Sequence, residues 1–183
     1  MAITTLDPKT ALIVVDLQKG VVGRELAHSV QSVVQHAATL ADAFRRHELP
    51  VVLVNVLGMA PGRAEQKFTG SFPADWSELI PQLNQQPQDH IVSKRTWGAF
   101  TNTDLEQYLK HKGVTQVVLA GIATSIGVES TARQAHELGF NVTLATDAMT
   151  DMSLEAHENS VSRIFPRLGE TGTTKDVLQK LPQ

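Results

Sequence analysis

Four continuous apolar runs mark the chain: Ala11-Leu12-Ile13-Val14-Val15, Val51-Val52-Leu53-Val54, Val117-Val118-Leu119-Ala120 and Val142-Thr143-Leu144-Ala145. A strand with one face in water alternates apolar and polar residues. These runs do not, which predicts strands covered on both faces, as in a parallel sheet between helices. His90-Ile91-Val92-Ser93 is a shorter fifth candidate. Between the runs, apolar residues recur at helical spacing. Residues 24–47 carry Leu26, Val30, Val33, Val34, Ala37, Leu40, Ala41 and Phe44 on one stripe. Further helices are predicted over 103–111 with Gly113 as a C-cap, over 128–138 closed by Gly139, and over 154–168. A last one spans 174–181, with Thr173 or Thr174 as its N-cap. Strands alternating with helices predict βαβ units and an open, doubly wound α/β sheet. Residues 57–88, rich in Gly, Pro and Gln, read either as a lid or binding loop or as a surface excursion with a short helix over 76–83.

A length of 183 residues suits one domain over 1–183, large enough to hold a core without cross-links. With 42% hydrophobic and 19% charged residues, the composition argues against disorder and coiled coil. A net charge of −3 with no basic stripe argues against nucleic acid as a partner. The N-terminus lacks the basic flank and apolar core of a signal peptide, and no apolar run approaches a membrane span. The expectation is a soluble, cytoplasmic protein with a small-molecule partner and no membrane partner. The chain has no cysteine, which excludes disulfides, thiolate metal sites and a thiol nucleophile.

Ligands of open α/β sheets sit beyond the carboxyl ends of the strands, so polar residues there carry the chemistry. Asp16 follows the first run directly, with Gln18 two residues on. An acid in that place is a turn or cap residue, or a carboxyl with a raised pKa fit for acid–base work. Lys94 and Arg95 close the fifth candidate strand, either as a solvated basic pair or as a partner for Asp16 and an anion receiver. Trp97 and Phe100 are candidate pocket walls or core aromatics. The third long run continues into Gly121-Ile122-Ala123-Thr124-Ser125-Ile126-Gly127-Val128, a strand–turn–helix junction able to aim backbone N–H groups at an anion or oxyanion. It is neither a P-loop nor a dinucleotide fingerprint, and the seven histidines form no metal-ligand pair, so no cofactor and no metal are expected.

In order, Val14-Val15-Asp16-Leu17-Gln18, Lys94 through Leu105, Ala120 through Ala132 and Asp147-Ala148-Met149-Thr150-Asp151 resemble the motifs of the isochorismatase-like hydrolase family, or cysteine hydrolase superfamily. The resemblance implies a three-layer α/β/α sandwich with a mostly parallel sheet, assembled as a homo-oligomer (dimer or tetramer). It maps the family's catalytic Asp onto Asp16, its Lys onto Lys94 and its nucleophilic cysteine onto Gly127. It also places the family's cis peptide between Ile122 and Ala123. Gln18, Arg95, Trp97, Phe100, Ile122, Ala123, Ser125 and Ile126 would then bind substrate. Where nicotinamidases of the family carry a metal-binding Asp-x-His, this chain has Asn55-Val56-Leu57.

Gly127 has nothing with which to attack an amide. Isochorismatases offer a route that needs none: protonation of a vinyl ether, then capture of the oxocarbenium ion by water. Asp16 would be the acid, and Lys94 would orient it. The isochorismate-cleaving members carry Tyr and His where this chain has Ala123 and Ser125, so isochorismate itself is not implied. Three readings follow: hydrolysis of a small anionic molecule by Asp16 and Lys94, a hydrolase recruiting the hydroxyl of Ser125 or Thr124, and a catalytically silent binding or assembly protein.

Overall fold

The computed structural model describes residues 3–66 and 70–181. Six strands form one sheet: β1 (Thr10–Val15), β2 (Val51–Val56), β3 (His90–Lys94), β4 (Gln116–Ile122), β5 (Asn141–Thr150) and β6 (Glu170–Gly172). Their order is β3-β2-β1-β4-β5-β6 and every neighbouring pair is parallel. The five apolar runs are strands, and β1 and β4 are buried along their whole length. β6 went unpredicted: Glu-Thr-Gly is too short and too polar to read as a strand, and pairing with β5 makes it one.

Among the described residues, seven short to medium helices follow the strands: α1 (Lys19–Val22), α2 (Val30–Arg46), α3 (Leu105–His111), α4 (Glu129–Glu137), α5 (Leu154–Asn159), α6 (Phe165–Leu168) and α7 (Thr174–Lys180). Alternate residues of each strand feed two cores. Leu12, Val14, Leu53 and Val118 meet Ala37, Leu40 and Phe44 of α2 and Val177 of α7. Ala11, Ile13, Val15 and Leu119 meet Leu105 and Leu109 of α3, Ala132 of α4 and Phe165 of α6. That is the three-layer sandwich, with the sheet between two helical layers.

Two expected helices are shorter than their periodicity. α2 starts at Val30 rather than near residue 24, because Ser29 caps it by accepting from the Ser32 N–H. Upstream, the backbone donates across the molecule instead: Ala27 N–H to the Asp151 carbonyl, and His28 N–H to Thr150 Oγ1. The expected helix over 76–83 is reduced to one 3₁₀ turn, Pro81–Leu83. The helical stretch over 154–168 is present, interrupted by a π-helical turn over Ser160–Ile164. Among the described residues, no helix is long and apolar enough to cross a membrane.

The chain runs β1, β2, β3 towards one edge and returns to start β4 on the other side of β1. The carboxyl ends of β1 and β4 therefore diverge into a crevice, the place such sheets bind ligands. Gly121 lets these two strands approach closely. Its φ is +122°, and a Cβ there would stand 2.0 Å from the Val15 carbonyl oxygen.

Candidate active site

Asp16 leaves β1 with φ of +53°, a left-handed conformation that Asp tolerates better than most residues. Its N–H still donates to the Val54 carbonyl at 2.9 Å, while its own carbonyl accepts from Gln18 N–H at 2.9 Å. This bend ends the strand and places the carboxyl in the crevice. Lys94, the last residue of β3, crosses over β2 to reach it. Its Nζ donates to Asp16 Oδ2 at 2.7 Å and to the Thr96 carbonyl at 3.1 Å. The two side chains are 1% (Lys94) and 8% (Asp16) exposed.

The second carboxyl oxygen differs from the first. Asp16 Oδ1 is buried and has no hydrogen-bond partner. An ionised carboxylate with one bare oxygen is costly in such a place, whereas a proton on that oxygen removes most of the cost. Burial accordingly pushes the Asp16 pKa up to about 6, with the Lys94 charge and hydrogen bond pulling the other way. Desolvation wins over the ion pair.

The turn after β4 forms the opposite wall. The Ile122–Ala123 peptide is cis. A π-helical turn over Thr124–Val128 leads into α4. A Cβ built on Gly127 would lie 3.3 Å from Asp16 Oδ2 and 3.1 Å from Val15 Cγ1, so a side chain at 127 would start against the carboxyl. Three amides of this turn are already engaged: Ile126 and Val128 donate to the Ala123 carbonyl, and Ser125 donates to Asp151 Oδ2. These three are not open to an anion.

These elements enclose a pocket of about 160 Å³. Of the residues singled out in the sequence, Asp16, Lys94, Arg95, Trp97, Ile122, Ala123, Ile126 and Gly127 line it. Three others stand outside. Gln18 is fully buried and holds the loops together, its Nε2 donating to the Val56 and Trp76 carbonyls while its Oε1 accepts from Val56 N–H. Phe100 is half-buried and packs against Phe140. Ser125 gives its hydroxyl to Asp151 Oδ2 at 2.8 Å. Thr124 is likewise spent, with Oγ1 2.8 Å from Nδ1 of His157. Burial and the nearby His28 hold the His157 pKa below its usual value.

The sequence reading missed Arg24, Gly58, Met59, Trp76 and Met152 as lining residues. Gly58 follows β2 at its carboxyl end and was findable by the strand-end rule. Arg24 was hidden inside an over-long predicted helix. Met59 and Trp76 come from the 57–88 stretch, which thus contributes wall to the pocket. Trp76 is fixed there by packing onto Gly20, where any Cβ would collide with the indole. Asn55 is tied to Ser77 and Ser93. Among the described residues, no three or more His, Asp or Glu side chains converge in the manner of a metal site.

Comparison with known proteins gives the family and the fold. The family model described as the isochorismatase domain matches residues 10–176. The isochorismatase family protein YwoC of Bacillus subtilis is 43% identical over 181 residues, covering 94% of this chain and 94% of that protein. YecD of Escherichia coli O157:H7, of the same family, is 41% identical over 181 residues, covering 94% and 96%. The solved structure of an isochorismatase family protein from Burkholderia thailandensis superposes with a TM-score of 0.92 at 40% identity, covering 97% of both chains.

Proposed function

Because the chain belongs to the isochorismatase-like hydrolase family, we propose that it hydrolyses a small anionic molecule of vinyl-ether type by acid–base chemistry, with no covalent nucleophile. The observation that carries the reading is the Asp16 carboxyl: one oxygen, beside Gly127, is held by Lys94, and the other is buried and bare. A nucleophile-dependent enzyme needs a reactive side chain at 127 and this chain has none. The two nearby hydroxyls are committed to Asp151 and His157 and lie outside the pocket lining.

In this mechanism the Asp16 carboxyl carries the proton and delivers it to the terminal carbon of the C=C–O unit. The carbon–hydrogen bond forms as the enol ether oxygen shares its electrons, giving an oxocarbenium ion. Lys94 meanwhile steadies the carboxylate being formed. Water adds to the cationic carbon, Asp16 takes back a proton, and collapse releases an alcohol and a carbonyl compound. At pH 7 about one carboxyl in ten is protonated for a pKa of about 6. A bound anion raises that fraction, since a nearby negative charge favours the neutral acid. Arg95 and the apolar walls hold the substrate beside the pair.

The competing reading, a silent binding protein, is favoured by the same Gly127. A panel of enol ethers, amides and esters read by mass spectrometry separates them, on wild type and Asp16→Asn together. The mechanism predicts turnover of an enol ether, reduced at least about 100-fold in a folded Asp16→Asn variant. No turnover of any member supports the silent reading. Amide turnover alone, or an unaffected Asp16→Asn, contradicts the acid role.

A further inference from the structure

Arg24 and Arg95 line the same pocket from different loops. Among the described residues, neither guanidinium has a hydrogen bond or an ion-pair partner. Two nearby lysines are paired: Lys94 to Asp16, and Lys19 to Asp75 and Glu78. A third observation concerns Gly58. A Cβ there would lie 3.1 Å from Arg95 Nη1, so the Arg95 guanidinium rests over bare backbone inside the lining. Apart from Asp16, Lys94 and Thr96, the remaining lining residues are apolar or glycine. Trp97, Met59 and Met152 stand at the rim, 58%, 48% and 42% exposed although large and hydrophobic.

The body of the ligand follows from the volume. A pocket of about 160 Å³ is close to the roughly 150 Å³ apolar cavity known to take up one benzene molecule. The head follows from the cations, because guanidinium groups match planar carboxylates by paired N–H donation.

We infer that Arg24 and Arg95 are specificity-determining residues that read the carboxylate of a single-ring-sized apolar acid at the pocket rim, with Gly58 keeping the Arg95 seat open. This rests on the hydrolase reading only for the ligand being a substrate. Recognition itself is a binding event and is testable without turnover.

Both tryptophans of the chain, Trp76 and Trp97, line the pocket, so selectively excited tryptophan fluorescence reports on it. Benzoate and its neutral isostere benzamide are titrated into wild type, Arg24→Gln, Arg95→Gln, Gly58→Leu and Asp16→Asn. Wild type is expected to bind benzoate saturably and benzamide at least about tenfold more weakly, as loss of a charge-assisted contact implies. Arg24→Gln and Arg95→Gln each lose that preference while leaving benzamide affinity unchanged. Gly58→Leu lowers benzoate affinity through Arg95. In Asp16→Asn the preference stays or rises, because the neighbouring carboxylate is gone, which separates this inference from the acid mechanism. Equal affinity for the two probes, no saturable benzoate signal, or an unchanged preference in both arginine variants overturns it.

Discussion

Asp16 and Lys94 form a buried pair whose terms oppose one another. For a folded-state pKa of about 6 against an ordinary 3.8, the native protein holds a proton that the unfolded chain has released. Stability is therefore greatest below about pH 4 for this group and declines as pH rises through 6. A shift of that size is worth roughly 3 kcal/mol at most. Removing the acid alone is worse, because it strands the Lys94 ammonium, whose side chain is 1% exposed. Replacing both partners with apolar side chains avoids either cost. Urea unfolding at pH 8 is thus expected to rank Asp16→Asn lowest, with Asp16→Asn/Lys94→Met recovering at least about 2 kcal/mol over it and matching or exceeding wild type. A double variant no more stable than the single one would show that the pair is not strained. Retaining such a pair fits a catalytic use better than a structural one.

At the scale of elements, the crevice depends on how closely β4 passes β1. Gly121 pairs with Val15, and its missing side chain is what the approach requires. Gly121→Ala combines an unfavourable positive φ with a collision against backbone that cannot move aside. We expect it to cost more than about 3 kcal/mol by thermal or chemical unfolding. A loss below 1 kcal/mol would mean that the register in the crevice is looser than described. Gly169 repeats this arrangement at the other end of the sheet, a Cβ there falling 2.0 Å from the Val142 carbonyl oxygen. Neither glycine announces itself in the sequence, since close backbone approach is a property of the partner strand.

For the whole molecule, the sandwich was legible because continuous Val, Ile and Leu runs admit little but a doubly covered sheet. The Asp16–Lys94 pair was legible because strand ends are where such sheets bind. What stayed hidden was set by distant contacts. Hydrogen bonds from Ala27 and His28 to β5 residues and their successor keep 24–29 out of α2, and so deliver Arg24 to the pocket. Gln18 looked like a binding residue, yet its amide is consumed in stitching β2 to the loop that carries Trp76. Ser125 sat in the right turn, but Asp151 claims it. Local pattern reports the elements; only packing decides which polar groups remain for a ligand.

The central claim is that burial, not the neighbouring lysine, governs the Asp16 carboxyl. Its side-chain carboxyl can be followed by ¹³C NMR across pH, assigned by difference against Asp16→Asn. The account predicts a titration with its midpoint at about 6. A midpoint at or below the ordinary aspartate value of 3.8 would contradict it. The ion pair would then dominate, and Asp16 could not hold the proton that the proposed reaction spends.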